Sequence, residues 1–309
     1  MSELKYKDYW FNYCFETNPR EIKSYIKEEY ISSQGLKIHL DIYDREEILS
    51  NGAIIFLHGT SVYSRFYAEF LYNLFKEGYR VIAPDMIGHG LSEGLRGHFT
   101  MDQFTKTVCD VNSYVIERYG ENNILMGSSL GGINTLYSIA FDNRFKAAIC
   151  HNAAIFNEKA YKKILKLNLF LRSILSFVPI AAKIMPKFKL KTTTYLDFKK
   201  LAKTAKVLDR MDILLKDPLL SLKYTFTSLR TQMKDPMAKS IEKISIPVMI
   251  INGDEDFLFS VDYMKELYNR LTCKNKSLKI LKGTSHLIFQ ENIQKVLQTI
   301  IPWLESILN

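Results

Sequence analysis

This sequence of 309 residues has few cysteines, no long apolar run and no low-complexity stretch. Its four cysteines are widely spaced and form no Cys-x-x-Cys pair, so neither a disulfide framework nor a zinc site is indicated. No stretch approaches the roughly 18 uncharged apolar residues that a membrane-spanning helix needs. The first residues carry charges where a secretory signal would be apolar. We therefore expect no signal peptide and a cytoplasmic location with reduced thiols.

The charge of the chain, in contrast, is concentrated in one region. Lys and Arg number 42 against 33 Asp and Glu, a net charge of +9. Residues 152–240 hold 19 of the cations and 6 of the acids, a net of +13, so the remainder is net negative. Such an asymmetry concerns partners more than fold. It fits peripheral contact with an anionic membrane, and it equally fits lysines that only keep exposed helices solvated. The lysines are interleaved with Leu, Ile and Phe at helical spacing rather than with the aromatic stacking platforms of a single-strand binder, so we expect no nucleic-acid partner.

Strand-like and helical stretches alternate through most of the chain. Several strand-like runs are almost uninterruptedly apolar, as expected for parallel strands that are buried on both faces. The predicted strands are residues 36–43, 53–57, 80–83, 123–126, 146–150, 247–251 and 278–281. The predicted helices are residues 64–77, 101–119, 130–141, 261–272 and 291–307. This alternation predicts an α/β fold with a mostly parallel sheet covered by helices.

Residues 155–240 interrupt this alternation. Apolar residues recur there at helical spacing among lysines, with no convincing strand. We therefore predict a helical cap of residues 155–240, inserted before the last two strands. Residues 1–154 and 241–309 would form one discontinuous core domain.

The strongest chemical signal is Gly-Ser-Ser-Leu-Gly at residues 127–131, a G-x-S-x-G motif. It follows a predicted strand and opens a predicted helix, which is the setting of a nucleophile elbow. Glycines at both ends allow the sharp turn that presents the central serine. Ser129 is therefore the predicted nucleophile, and Ser128, one position off the centre, is a poorer candidate.

A serine hydroxyl needs a base to accept its proton, and the expected chain order is serine, acid, histidine. Two histidines follow Ser129 in the sequence. His151 lies in an apolar run at a strand end, where a buried residue is expected. His286 lies in the loop between the last strand and the last helix, at the edge of the sheet where active sites assemble. His286 is the predicted base.

Three acids after the strand at 247–251 compete to orient the histidine. They are Asp254, Glu255 and Asp256. A carboxylate too close to the strand end would not easily reach the imidazole, so Asp256 is preferred over Asp254, and Glu255 comes third. Any one of them can instead be a turn residue that satisfies its own backbone.

The loop at His58-Gly59-Thr60 is predicted to help bind negative charge. With such a serine turn, one amide comes from the loop after a neighbouring strand and another from the residue after the serine. Those are the backbone N–H groups of Thr60 and Leu130. Gly59 would let the backbone approach the substrate, and His58 would brace the loop.

Residues 85–92 contain closely spaced glycines, yet they match neither G-x-G-x-x-G nor a P-loop. A tight structural turn after a strand is the better interpretation. No His, Asp and Glu spacing matches a metal-ligand set. We therefore expect neither a cofactor nor a metal ion.

Together these motifs resemble the monoacylglycerol lipase and lysophospholipase branch of the α/β-hydrolases. The resemblance rests on residues 58–60, 85–97, 127–131, 253–256 and 283–286. It implies Ser129, Asp256 and His286 as catalytic triad and the Thr60 and Leu130 amides as oxyanion hole. Residues 155–240 show no clear similarity beyond their position and helical character, which puts the substrate specificity in doubt.

The resemblance implies a serine hydrolase that cleaves a lipid-like carboxylic ester, such as a monoacylglycerol or a lysophospholipid. A soluble carboxylesterase or thioesterase is the alternative, and a non-catalytic hydrolase-like binding protein is a remote one. From Ile164 to Met185 the predicted cap is strongly apolar, with lysines such as Lys159, Lys162, Lys163 and Lys166 in or beside this series. Such a series suits a helix at a membrane surface, and it equally suits packing against the core domain.

Overall fold

Apolar runs of the sequence form the strands of one large sheet. The computed structural model describes residues 6–45, 52–164 and 169–308. In these residues the strands are β1 Ile26–Ser33, β2 Leu36–Tyr43, β3 Ile54–Leu57, β4 Val81–Pro84, β5 Ile124–Ser128, β6 Ala147–His151, β7 Lys189–Lys191, β8 Lys223–Thr225, β9 Val248–Gly253 and β10 Lys276–Leu281.

Eight of these strands form one sheet in the order β1-β2-β4-β3-β5-β6-β9-β10. The pairs from β4 to β10 are parallel, while β1 and β2 join the edge in antiparallel fashion. The predicted fold class, a mostly parallel sheet with helices, is thus confirmed. Every residue of β3, β5, β6 and β9 is buried, because helices cover both faces of a parallel sheet.

Strand β1 is absent from the sequence prediction. It lies at the edge of the sheet, and most of its side chains are exposed or half-buried. Charged residues such as Lys27, Glu28 and Glu29 therefore break the apolar run that marks a buried strand. The strand forms because it pairs with β2 along its whole length.

Helices connect the parallel strands. In the described residues they are α1 Pro19–Ser24, α2 Ala68–Lys76, α3 Met101–Tyr119, α4 Leu130–Phe141, α5 Tyr161–Ile164, α6 Leu169–Ile184, α7 Ala205–Leu208, α8 Met211–Leu214, α9 Phe226–Lys234, α10 Val261–Arg270, α11 Ile288–Glu291 and α12 Ile293–Leu308. Helix α3 begins with a capping box in which Thr100 and Gln103 satisfy each other's backbone amides. None of the described helices combines the length and apolar character needed to cross a membrane.

Residues 155–240 are mostly short helices and turns, but the expectation that they contain no strand is wrong. Strands β7 and β8 pair in an antiparallel ribbon. Three-residue strands are too short to leave a periodic signal. Hydrogen bonds to other parts of the chain stabilise the ribbon. The hydroxyl of the buried Tyr224 in β8 accepts one from the Ser61 amide at 2.8 Å. The Thr225 amide donates another to the Gly97 carbonyl at 3.0 Å.

The glycine-containing turn after β4 folds around one buried carboxylate. Asp85 accepts hydrogen bonds from the amides of Ser64 and Leu91, both at 2.8 Å, and its Oδ2 lies 3.0 Å from His39 Nδ1. A Cβ on Gly90 would clash with the Asp85 carboxylate. The structure therefore shows the structural turn that the sequence favoured at this point.

The segment before α1 packs against residues 205–217. The buried Tyr13 donates a hydrogen bond to Asp217, which also accepts one from the Tyr63 hydroxyl at 2.7 Å. Arg210 donates to the carbonyl of Cys14 at 3.1 Å. These contacts connect the start of the described chain, the loop after β3 and residues 205–217.

The burial of His89 should make the free energy of unfolding depend on pH. The ring is fully buried, with Nδ1 3.1 Å from Ile87 O and Nε2 2.9 Å from the Tyr224 hydroxyl. Burial, with a smaller contribution from nearby His58, lowers the pKa of His89 to about 3. An unfolded histidine titrates near pH 6.5, so acidification adds a proton to the unfolded chain before the folded one. The stabilisation is therefore present above about pH 6.5 and is lost as pH falls toward 3.

We predict that His89→Gln weakens the pH dependence of the free energy of unfolding. Between pH 7.5 and pH 5.0 one such histidine contributes about 2 kcal/mol of lost stability. Urea denaturation at the two pH values, for the wild type and the variant, measures the difference. An identical loss in both proteins would contradict the assignment. Some dependence remains in the variant, since burial also lowers the pKa of His151 to about 3.

Candidate active site

Ser129 occupies a strained turn between β5 and α4. Its φ of 57° and ψ of −117° are unusual for a residue with a side chain. A Cβ on Gly127 would clash with the backbone of Gly131, and one on Gly131 would clash with the Leu57 carbonyl. The two glycines of the motif therefore permit the tight approach that this turn requires. Ser129 stands at the N-terminus of α4, where a helix favours negative charge.

His286 and Asp256 form a direct pair at the carboxyl edge of the sheet. His286 Nδ1 donates to Asp256 Oδ2 at 2.8 Å, and both side chains are buried. The other carboxylate oxygen accepts from the amides of Leu258 and Phe259, at 2.8 and 3.0 Å. Burial alone would raise the pKa of Asp256, but His286 and these hydrogen bonds outweigh it and lower the pKa to about 2. The carboxylate is therefore ionised at neutral pH.

The two competing acids lie elsewhere in the same loop. Asp254 Oδ1 accepts from the amides of Gly283 and Thr284, at 2.7 and 3.3 Å, and so helps to shape the loop that carries the histidine. Glu255 forms an exposed ion pair with Lys203 at 2.7 Å. Of the three acids, the structure brings Asp256 alone against His286.

The loop after β3 lies beside the serine. A Cβ on Gly59 would lie 3.3 Å from Ser129 Cβ, so this backbone passes close to the hydroxyl. In the described part of the chain, the amides of Thr60 and Leu130 donate to no protein acceptor. His58 braces the loop, because its Nε2 accepts from the Met86 amide at 3.0 Å. Two unpaired amides beside a serine suit the binding of an oxyanion.

Ser128 and His151, the poorer candidates of the sequence, are both buried behind the turn. The Ser128 hydroxyl lies 2.9 Å from His151 Nδ1. The His151 ring packs against the His286 ring with centroids 5.4 Å apart. Asn152, which no sequence motif marked, follows His151 and donates to Asp256 Oδ2 at 3.0 Å. Its position two residues after the predicted strand at 146–150, near the edge of the sheet where such sites assemble, was the one sequence feature that pointed to it.

Potential metal ligands cluster once within the residues that the structure describes. Suitable atoms of His151, Asp256 and His286 lie within 4.8 Å of one another. Asp256 and His286, however, already form a hydrogen-bonded pair with each other. The cluster therefore coincides with the predicted acid and base.

Ser129 and His286 line the same cavity, although no hydrogen bond joins the two side chains in the described residues. Such bonds often tighten only when substrate binds. Thr60 and Leu130 also line it. The remaining walls are mainly aliphatic and aromatic, and many of them come from residues 155–240. This range contributes Ile164, Leu196, Phe198, Leu201, Met211, Leu214, Leu215, Leu220, Leu229 and Met233.

Comparison with known proteins relates this chain to hydrolases. Residues 50–293 match the family Hydrolase_4, described as serine aminopeptidase, S33. A monoglyceride lipase homolog of Monkeypox virus is 28% identical over 267 residues, covering 82% of this chain and 89% of that protein. Caffeoylshikimate esterase of Arabidopsis thaliana is 24% identical over 308 residues, covering 91% of this chain and 89% of that protein. The crystal structure of Paleococcus ferrophilus monoacylglycerol lipase has a similar fold, with a TM-score of 0.72 and 24% identity over 87% of this chain and 99% of that one.

The geometry of the acid loop predicts different effects for two neighbouring carboxylates. Asp256→Asn should lower kcat by several powers of ten, because an amide favours the wrong tautomer of His286. Asp254→Asn is the matched control and should cost far less, since among the described residues the Asp254 side chain accepts hydrogen bonds from backbone amides of the histidine loop and not from the imidazole. Steady-state kinetics on a soluble ester measures both effects. Comparable losses would mean that the loop as a whole, rather than one carboxylate, positions the histidine.

Proposed function

This chain belongs to the Hydrolase_4 family, and from that membership we propose that it cleaves a lipid-like carboxylic ester through an acyl-enzyme on Ser129. The match and the relatives confirm the resemblance to α/β-hydrolases of the monoacylglycerol lipase branch, and they make the chain an ester hydrolase. The observation that carries the finer proposal is the convergence of Ser129 and the Asp256–His286 pair on one apolar cavity.

Acyl transfer would proceed in two steps. Ser129 attacks the ester carbonyl while His286 accepts the hydroxyl proton, and Asp256 holds the imidazole in the tautomer that can accept it. The amides of Thr60 and Leu130 stabilise the negatively charged oxygen of the intermediate. His286 then gives the proton to the departing alcohol. Water releases the fatty acid from Ser129 by the same route.

The cavity walls favour a long acyl chain over a small acid. Burial of apolar surface contributes about 0.8 kcal/mol per methylene, so each added carbon that enters the cavity should favour binding. The polar groups of the site are concentrated around Ser129, while the inserted segment supplies mostly Leu, Ile, Phe and Met. This distribution suits an ester with a polar head and an apolar tail. A short-chain carboxylesterase or a thioesterase is the alternative.

We predict that kcat/KM rises with acyl length across a series of p-nitrophenyl esters. Each methylene that the cavity buries should contribute up to roughly fourfold. Panels of monoacylglycerols, lysophospholipids and acyl thioesters then identify the leaving group. A profile that is highest at acetate and falls with length would contradict the lipid-ester proposal and favour a small-ester carboxylesterase.

The role of the serine is tested in the same assay. Ser129→Ala should lower turnover by roughly 10⁴- to 10⁶-fold and abolish labelling by a fluorophosphonate. Ser128→Ala is the matched control and should remain active and labelled. An adduct on Ser128 in the labelled wild type would contradict the proposed nucleophile, and absence of both activity and labelling in the wild type would favour a non-catalytic binding protein.

We also propose that the inserted segment brings the enzyme to an anionic membrane surface. One side of helices α5 and α6 packs against the rest of the protein, since Ile164 of α5 lines the cavity and Val178 of α6 is buried. A second side is exposed: Phe177, Ile180 and Ile184 of α6 are 64%, 60% and 77% exposed. Their spacing of three and four residues puts them on one face of the helix.

Lysines surround this exposed apolar face. Lys183 and Lys187 are exposed, and Lys189 and Lys191 follow in β7. None of the four forms an ion pair within the described residues. Lys163, by contrast, pairs with Glu266 at 2.7 Å, and Lys166 lies outside the described residues. Apolar residues flanked by cations suit an interfacial helix, and each cation near an anionic surface contributes about 1 kcal/mol.

We predict that Phe177→Gln with Ile184→Gln weakens binding to phosphatidylglycerol vesicles by tenfold or more, because two exposed apolar anchors are lost. Phe141→Gln is the matched control, since Phe141 is 54% exposed at the end of α4. Vesicle co-sedimentation measures binding, and hydrolysis of a soluble ester should be unchanged in both variants. Equal binding to neutral and anionic vesicles would contradict the electrostatic part of the proposal.

A further inference from the structure

Asn152 is held rigidly beside the acid–base pair. It follows β6, is fully buried, and has a φ of 66°, in the left-handed region that asparagine tolerates better than most residues. The backbone N–H of Asn152 donates a hydrogen bond to the carbonyl oxygen of Ile251 at 3.2 Å. Gly132 of α4 approaches so closely that a Cβ there would clash with the carbonyls of His151 and Asn152. The backbone at this position is therefore constrained from two sides.

The orientation of the Asn152 side chain is determined by its neighbours. Its nitrogen faces two acceptors, Asp256 Oδ2 at 3.0 Å and Asn252 Oδ1. The side-chain nitrogen of Asn252 donates hydrogen bonds to the carbonyls of Gly253 and Phe259, at 2.7 and 3.0 Å. The Asn252 oxygen therefore points at Asn152. Rotating the Asn152 amide would oppose oxygen to oxygen at both contacts, so the nitrogen must face the carboxylate.

Asn152 acts on the same carboxylate oxygen as the histidine. Asp256 Oδ2 accepts from His286 Nδ1 at 2.8 Å and from Asn152 at 3.0 Å, while Oδ1 is occupied by two backbone amides. Without Asn152, Oδ2 would keep His286 as its one donor in the described residues. The carboxylate would then be held on the Oδ2 side by the imidazole alone, and Oδ2 would carry more uncompensated negative charge.

We propose that Asn152 is a positioning residue that orients His286 by clamping the Asp256 carboxylate. This inference rests on the proposed function, in which His286 is the general base. The amide holds Oδ2 in the direction of the imidazole and shares its negative charge. Among the described residues no hydrogen bond joins Asn152 to Ser129, and Asn152 is not one of the residues that line the cavity, so its effect on the reaction passes through Asp256.

Asn152→Gly tests the clamp, because glycine accepts the left-handed backbone and removes only the side chain. We expect kcat on a soluble p-nitrophenyl ester to fall roughly 10- to 100-fold, the range for a hydrogen bond to a charged group, with little change in KM. The acid limb of kcat/KM should move to higher pH, since a more negative Oδ2 favours protonated His286. Asn134→Ala removes another buried amide that does not contact Asp256, and it should change neither quantity.

A double-mutant cycle separates positioning from packing. If Asn152 acts through the carboxylate, Asn152→Gly should cost almost nothing further in an Asp256→Asn background. Additive losses, or an unshifted acid limb, would overturn the inference and leave Asn152 as a packing residue. Full activity of Asn152→Gly would also overturn it, while an inactive Ser129→Ala would leave the proposed function intact. Activity retained in both Ser129→Ala and Asp256→Asn would instead overturn the proposed function itself.

Discussion

The close approach of helix α4 to the strand ends is the constraint on which the site depends. Glycines at positions 127, 131 and 132 let the helix start directly against β3 and β6, where any side chain would clash with backbone atoms. This contact puts Ser129 in its strained conformation, with its amide donating to His151 O at 2.9 Å. The carboxyl ends of β3, β5 and β6 therefore meet around one hydroxyl. Backbone strain of this kind persists only where the surrounding packing enforces it.

The buried carboxylates of Asp256 and Asp85 remain charged because each of them accepts several hydrogen bonds. Asp256 has two backbone amides, an imidazole and the Asn152 amide, and Asp85 has two amides and His39. An unpaired buried carboxylate would be neutralised instead. The lowered pKa of Asp256 follows from these donors, which outweigh its burial. A fully paired carboxylate is also held in one orientation, which the role proposed for Asp256 requires.

The positive charge of residues 155–240 is divided between two environments. Several of these cations form ion pairs with acids outside this range, including Lys163 with Glu266, Lys203 with Glu255 and Lys206 with Glu16. These ion pairs therefore compensate part of the net negative charge that the rest of the chain carries. The lysines near the end of α6 have no such acids among the described residues and flank exposed apolar side chains. The same composition thus supplies both ion pairs within the protein and a group of lysines that lack ion-pair partners among the described residues.

The amino-acid sequence was enough to predict seven of the eight strands of the large sheet and the main helices between them. It also singled out Ser129 and His286 as candidates and ranked Asp256 first of three competing acids. Buried strands and glycine turns leave local signals, because apolar runs and backbone freedom depend on neighbouring residues in the chain. Edge strand β1, the β7–β8 ribbon and Asn152 left no such signal. Packing in three dimensions established which of Asp254, Glu255 and Asp256 meets His286, which lysines pair with acids, and which face of α6 is exposed. These outcomes depend on distances between segments far apart in sequence, and short-range patterning does not encode those distances.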